Sequence, residues 1–469
     1  MKKPAFLVVI TMLMAGCMVG PNYKRPLVNV PTDYRNAMPA QTAPTPAAPP
    51  SSLGNENWWQ VYQDPVLVQL IHTALQQNYN VRIAATNVLE AQAQLGITHS
   101  NQFPTASVGA DVFSQQNAKV TSLFPSYEVN AGQLNLSVIW NLDFWGKYRR
   151  ETEAARAQLL ASEYGQRAVM SSVVANVATS YFQLRALDSQ LEISKRTLTD
   201  RQQSLHLTQV LATHGSASDL DVSQSEQLVY TASETIPDLE RQIAQQEDLL
   251  SILLGENPGP IPRGRPLVQQ PPLPETVPAG LPSELLERRP DIGQAEENVV
   301  AANAEIGVAK ASFFPSFSLT GTGGLESNAL NRFIHTPSET WDGVLSVSQP
   351  VFQAGALRSG LRLSRAQWQE SMLSYQQTVQ TALQQVSDAL IGYQKYRDFR
   401  AQQEQLTLAA QRSDELSMLL YQHGGASYLQ VLTNDTNYFS AELNLVNAQL
   451  NERLALVQLY QALGGGWQQ

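Results

Sequence analysis

The stretch His214-Gly215-Ser216-Ala217-Ser218-Asp219-Leu220-Asp221-Val222 returns later in the chain as His423-Gly424-Gly425-Ala426-Ser427-Tyr428-Leu429-Gln430-Val431. A hydroxyl followed three residues on by an acidic or amide side chain has the spacing of a capping box. In that motif each side chain satisfies the other residue's backbone N–H at a helix start. Ser218 and Asp221 have this spacing in the first copy, Ser427 and Gln430 in the second. Gly215 and Gly424 fit the left-handed position that ends a preceding helix. His214 and His423 would then lie at helix C-termini, where a cation is favoured, so capping explains them better than metal ligation. This chemistry is structural. The rest of the chain shows no Gly-rich phosphate loop ending in Lys-Ser/Thr, no His-Glu-x-x-His and no paired cysteines. Its six histidines are scattered and its eight methionines form no cluster, so neither an enzyme nor a soft-metal site is indicated.

The elements that would carry these turns are long. No proline occurs from Gly146 to Thr213, and Met170, Val173, Val177, Tyr181, Leu184, Leu187 and Leu191 recur in steps of three and four. That spacing predicts one amphipathic helix, on the order of 100 Å long at 1.5 Å per residue. Ser218 opens a second helix to about Leu254, with Pro237 a candidate kink. A matching pair is expected from Ala356 to Gln422 and from Ser427 to about Gly464, with Trp368, Met372, Tyr375, Val379, Leu383, Val386, Leu390 and Tyr393 on one stripe. Shorter helices are expected from Pro65, capped by Asp64, to about Gln102, and from Ser283 to Ser312.

Both shorter helices run into a proline and then into alternating residues, at Phe103-Pro104 and Phe314-Pro315. After Pro104, Ala106, Val108, Ala110 and Val112 alternate with polar or small residues. Leu134, Leu136, Val138, Trp140, Leu142 and Phe144 do the same. The second half offers strands at Ser316–Gly321 and Trp341–Phe352. About ten residues with one apolar and one polar face suit a membrane barrel strand, although a half-buried soluble hairpin gives the same alternation. Pro104 and Gly96 are related to Pro315 and Gly307 by one offset. His214, Gly215, Leu220 and Gly255 are related to His423, Gly424, Leu429 and Gly464 by another, two residues shorter. The chain therefore reads as a duplication: residues 58–254 and 283–469 are repeats joined by a Pro-rich linker at 255–282.

Four strands per chain cannot close a barrel, since the smallest membrane barrels need about eight. Open edges are not tolerated in lipid, so the barrel has to be shared between chains. Beyond the N-terminus no run has the ~18 apolar residues of a spanning helix. The formal net charge of −10 argues against a nucleic-acid partner. Charged residues are only 15% of the chain, which suits surfaces buried in an assembly or facing a polar, weakly charged cavity.

Residues 1–16 read as a signal peptide: Lys2 and Lys3, then the apolar run Ala5 to Leu13. Leu13-Met14-Ala15-Gly16-Cys17 resembles a bacterial lipoprotein cleavage box, and Cys17 is the only cysteine. Cys17 would carry an acyl and diacylglycerol anchor, and Met18, in place of aspartate, favours the outer membrane. Residues 17–57 would form a lipidated tether.

Several stretches carry a family resemblance: Gly16–Pro26 (GCMVGPNYKRP), Trp58–Asn78 (WWQVYQDPVLVQLIHTALQQN), Arg288–Val299 (RRPDIGQAEENV) and Phe313–Gly324 (FFPSFSLTGTGG). With the duplicated turns, the chain resembles the outer membrane factor (TolC-like) family, in the lipoprotein branch that serves tripartite efflux pumps. The resemblance implies a mainly α fold with a small β part. Duplicated long-helix hairpins would form a trimeric α-helical barrel, topped by a shared twelve-stranded transmembrane β-barrel. It implies no enzyme and no cofactor beyond the lipid on Cys17. The implied partners are two further copies of the chain, outer-membrane lipid, a periplasmic adaptor protein and an inner-membrane transporter of the resistance-nodulation-division type. The implied place is the bacterial outer membrane, reaching into the periplasm. By the same resemblance Gly215, Ser218, Gly424 and Ser427 belong to tip turns that meet the adaptor, and Asp221 and Tyr421 match constriction positions. Gln430 and Thr433 stand where relatives often carry aspartate, and Ala426 where some carry a basic residue, so Asp435 joins Asp221 and Tyr421 as a gate candidate. The competing readings are another small-molecule or protein export system, or a helical lipoprotein scaffold without a channel.

Overall fold

The computed structural model describes residues 18–35, 52–116, 128–275, 277–329, 332–333 and 338–467. Cys17 and residues 1–16 lie outside them. The chain divides into two compact units, one built from residues up to Leu27, Asn87–Glu163 and Gln294–Gln376, the other from Val28–Thr86, Tyr164–Gly293 and Gln377–Gln469.

The order of elements is α1 (Pro65–Gln77), α2 (Tyr79–Ser100), β1 (Thr105–Gln116), β2 (Glu128–Leu142), α3 (Lys147–Thr213), α4 (Asp219–Leu254), then α5 (Pro282–Arg288), α6 (Pro290–Ala311), β3 (Ser316–Ser327), β4 (Glu339–Ser348), α7 (Ala356–Gln422) and α8 (Tyr428–Ala462). The fold is mainly α with four described strands, as expected. Helices α3 and α7 are 67 residues each, so the two long stripes of the sequence are continuous helices. Pro237 lies inside α4 without interrupting it.

The two shorter helices are each divided, where the sequence suggested one continuous run. Asn78 leaves the helical region, and its side-chain oxygen accepts from the N–H groups of Asn80 (2.8 Å) and Val81 (3.3 Å), starting α2 anew. Arg289 adopts an extended conformation because Pro290 follows it, and α6 restarts at that proline. The strands also differ in length. β3 runs on to Ser327, and β4 spans Glu339–Ser348, stopping before Pro350, which has no N–H for a ladder.

In the first unit, α3 and α6 bury small residues: Ala154, Ala157, Ala161, Ala301 and Ala304. Met18–Arg25 lies against this unit in extended form. Arg150 donates to Asn22 (2.8 Å), Asn303 to the Pro21 carbonyl (3.0 Å), and Tyr23 and Arg25 to Glu296 (3.0 and 2.8 Å). The second unit has the larger side chains in its core, with Trp58, Leu67, Ile71, Tyr181, Leu184, Leu250, Leu285 and Tyr460 almost fully buried. Asp64 caps α1 as expected, accepting from Val66 N–H (3.0 Å). Its other oxygen accepts from Tyr181 (2.9 Å) and Gln270 (2.6 Å).

Candidate channel sheet and helical tip

In the first unit the four strands form one antiparallel sheet in the order β1-β2-β3-β4, so β1 and β4 are its edges. Side chains of residues paired across strands share a face. One row reads Ser107, Ser137, Thr322, Asp342, and another Asn141, Ser318, Ser346. The rows next to these read Val108, Leu136, Gly323, Trp341 and Trp140, Leu319, Leu345. The sheet thus has a polar face, interrupted by Ile139 and Val344, and an apolar face. The apolar face is open: Val108 is 72% exposed, Leu345 62% and Trp341 87%. Both faces reach solvent, and an apolar one that does so needs an occupant other than water.

Aromatic side chains mark where this sheet meets its helices. Trp140 Nε1 donates to the Gln102 carbonyl at the end of α2 (3.0 Å), and Trp145 Nε1 to the Pro315 carbonyl at the start of β3 (2.8 Å). Trp145 stacks on Phe314 with centroids 4.7 Å apart, and Phe144 meets Phe317 edge-on at 4.9 Å. Amphipathic aromatics of this kind prefer the boundary between an apolar and a wet layer. The described residues contain no helix long and apolar enough to cross a membrane.

The second unit holds the two repeat turns. Gly215 and Gly424 are left-handed, with φ of +74° and +73°. Ser216 N–H reaches back to the Leu211 carbonyl and Gly425 N–H to that of Leu420, both at 2.8 Å, the bonds that close a Schellman motif. His214 Nδ1 donates to the Val210 carbonyl and His423 Nδ1 to that of Leu419, again both at 2.8 Å. The capping role read from the two histidines therefore matches their geometry. The turns differ at the next helix. Asp221 Oδ2 accepts from Ser218 N–H and hydroxyl (both 2.9 Å), while Ser218 Oγ accepts from Asp221 N–H (3.2 Å), a complete box. Ser427 makes no side-chain cap bond, so the box expected with Gln430 does not form. Ionised Asp221 is the stronger acceptor, and a neutral amide has less to gain by folding back.

The three gate candidates are not equivalent. Tyr421, at the end of α7, meets Tyr428 of α8 edge-on, centroids 5.3 Å apart, and both hydroxyls are buried without a hydrogen-bond partner among the described residues. Burial and then the Asp221 carboxylate raise the Tyr421 phenol above its ordinary value. Asp221 and Tyr421, from different repeats, are therefore brought near each other. Asp435 lies farther into α8, where it accepts from Arg201 of α3 (Nη2 2.6 Å, Nε 2.8 Å). Arg201 was not legible as a site residue, since its partner is 234 positions away. A signal did exist: Ser194, Thr197, Arg201 and Thr208 share one helical stripe and are all buried, which is unusual for polar groups. No group of three or more His, Cys, Asp or Glu able to hold a metal occurs among the described residues.

A two-faced sheet with open edges, joined to duplicated long-helix hairpins, defines an outer-membrane efflux channel, a duct and not an enzyme. The chain belongs to the family described as outer membrane efflux protein, whose model matches twice, over residues 70–256 and 281–465. It is similar to the cation efflux system protein CusC of Escherichia coli O6:H1, 33% identical over 460 residues and covering 98% of each chain. It is also similar to the solvent efflux pump outer membrane protein SrpC of Pseudomonas putida, at 32% identity over 477 residues, 100% of this chain and 99% of that one. Among solved structures, the outer-membrane channel OprN superimposes with a TM-score of 0.88 at 26% identity, over 96% of this chain and all of the other.

Proposed function

We propose that three copies of this chain form the passive exit duct of a tripartite pump. Their twelve strands would close one barrel in the outer membrane, polar face inward, with the apolar face of Val108, Leu136, Leu319 and Leu345 against lipid. Twelve strands leave an aqueous path where eight would be filled by side chains. The long helices would continue the path into the periplasm, and the turns at Gly215, Ser218, Gly424 and Ser427 would meet an adaptor protein. An inner-membrane transporter of the resistance-nodulation-division type would drive transport. Cys17 would carry the lipid anchor. The observation that carries this reading is the cross-strand register, which sorts polar and apolar side chains onto opposite faces of a sheet whose outer strands, among the described residues, each pair with one neighbour.

The relatives are named for cations and for solvents, and a passive duct accepts what its transporter delivers. In this reading the cargo is small molecules, drugs among them, and the inner-membrane transporter selects it. Purified full-length protein added to a planar lipid bilayer should be a trimer in detergent and should conduct ions in discrete steps. A monomer that leaves the bilayer silent would refute the duct.

A further inference from the structure

The second unit contains a cavity of about 340 Å³ bordered by the Pro-rich linker. That volume falls at the lower end of the range for small-molecule pockets. One wall is Pro271-Pro272-Leu273-Pro274 with Val277 and Pro278, and another comes from the segment Leu53–Asp64 that precedes α1. Phe182 of α3 and Leu456 of α8, both buried, line it together with Arg453 of α8. The linker is held by donors to its carbonyls: Tyr393 to Pro274 (2.6 Å), Arg453 to Gln270 (3.2 Å) and Arg397 to Glu275. Proline fixes φ and carries no backbone N–H, so this wall is stiff and offers a ligand no main-chain donor. The cavity is preformed, and recognition in it falls to side chains.

The charged side chains lining it are Glu56, Asp64 and Arg453. Asp64 is already engaged, accepting from Val66 N–H, Tyr181, Gln270 and Arg265 N–H. Glu56 is exposed, where water and salt screen its charge. Arg453 is half-buried, and the carboxylate next to it in sequence, Glu452, forms its ion pair with Arg400 (2.7 Å). Arg453 has no ion pair among the described residues, and its one described hydrogen bond is to the Gln270 carbonyl, although a guanidinium carries several N–H donors. Tyr62 also lines the cavity, and its hydroxyl is buried with no hydrogen-bond partner among the described residues. A cation and a hydroxyl, both short of acceptors, therefore stand beside an apolar, proline-stiffened space.

We propose that this cavity binds a small amphipathic monoanion, a carboxylate on an apolar body. Arg453 holds the carboxylate, for which the fork of a guanidinium is suited. Phe182, Leu273, Val277 and Leu456 cover the apolar body. A cation of the same size would meet like charge at Arg453. A neutral molecule would cover the guanidinium without giving it a charged partner, which costs free energy. The site belongs to the second unit alone and is separate from the duct reading: its ligand ties the linker to α8 and stays there, where cargo would pass on.

The test titrates the full-length protein in detergent with trifluoromethylbenzoate, followed by fluorine NMR line broadening. The neutral trifluoromethylbenzyl alcohol and the cationic trifluoromethylbenzylammonium serve as comparisons. Broadening by the benzoate should saturate, and both comparison probes should bind more weakly. Arg453→Gln should weaken the benzoate about ten- to a hundredfold, the worth of a hydrogen bond to a charged group. Val277→Trp keeps Arg453 but fills the cavity from its linker wall, and should abolish saturation. Glu56→Gln should bind no more weakly than wild type. Equal affinity for benzoate and alcohol overturns the proposal, as does an Arg453→Gln or Val277→Trp protein that binds like wild type. Broadening that never saturates and is the same in every variant is partition into detergent, and overturns it too. Weaker binding in Glu56→Gln would assign the site to a zwitterion, with Glu56 holding its ammonium, and the monoanion would be wrong.

Discussion

Ser218 and Ser427 occupy equivalent places in the repeat, and their neighbourhoods assign them different worth. Ser218 Oγ accepts from Asp221 N–H and stands in a closed reciprocal box, whereas Ser427 makes no side-chain cap bond. Ser218→Ala should cost about 1 kcal/mol of stability, the usual value of an N-cap hydroxyl, and Ser427→Ala only a few tenths. Chemical denaturation of the two variants should separate them; equal losses would show that the local box contributes nothing. Asp221→Ala should remove a helix-end interaction of roughly 0.3–1 kcal/mol, too little to unfold the protein. If Asp221 also lines a constriction, the same variant should shift cation preference in the bilayer. Unchanged ion selectivity would leave Asp221 a helix cap alone. The capping histidines and glycines were legible because every bond involved spans at most five residues. The Arg201–Asp435 pair was not, because nothing local to either residue specifies the other.

At the scale of elements, the alternation of β2 assigns faces that substitutions can interrogate. Val138 pairs with Gly321 and, through it, with Gly343, on the face of Leu136 and Trp140. Ser137 pairs with Ser107 and Thr322 on the opposite face. In a lipid-embedded barrel Val138→Arg should cost about 2–4 kcal/mol if it lies near mid-membrane, while Ser137→Arg, facing water, should cost much less. Yields of folded protein in outer-membrane fractions would report this, and equal yields would contradict the register. The helix-to-strand transitions were readable at Pro104 and Pro315, since proline ends a helix and the alternation begins at once. The break at Asn78 was hidden. An asparagine within a helix-like run carries no fixed backbone restriction, and only its two bonds to Asn80 and Val81 N–H reveal it as a cap. The break at Arg289 is of the readable kind, because Pro290 excludes the preceding residue from the helical region.

For the whole molecule, the decisive feature is the pair of edges. Among the described residues β1 and β4 each pair with one strand, so each turns its outer edge of backbone N–H and C=O groups toward a further strand. In hydrocarbon such groups require protein partners, and the apolar face of the same sheet argues that hydrocarbon is its surroundings. A second copy can satisfy both demands only if β4 of one chain pairs with β1 of the next and the ring closes. Closure with two copies gives eight strands and a filled interior, while three give twelve and a path for solute. Antiparallel order around the ring fixes the neighbour: β1 meets β4, never β1 or β4 of its own kind, since a head-to-tail contact is the one that generates a closed ring. A cysteine at Ser107 on β1, combined with single cysteines scanned from Asp342 to Ser346 on β4, should give oxidative cross-links between chains in one register. The expected product is a ladder that ends at three chains on a non-reducing gel. A ladder ending at two, or cross-links confined to copies of the same strand, would mean that the edges are satisfied in some other way and that the shared barrel is wrong.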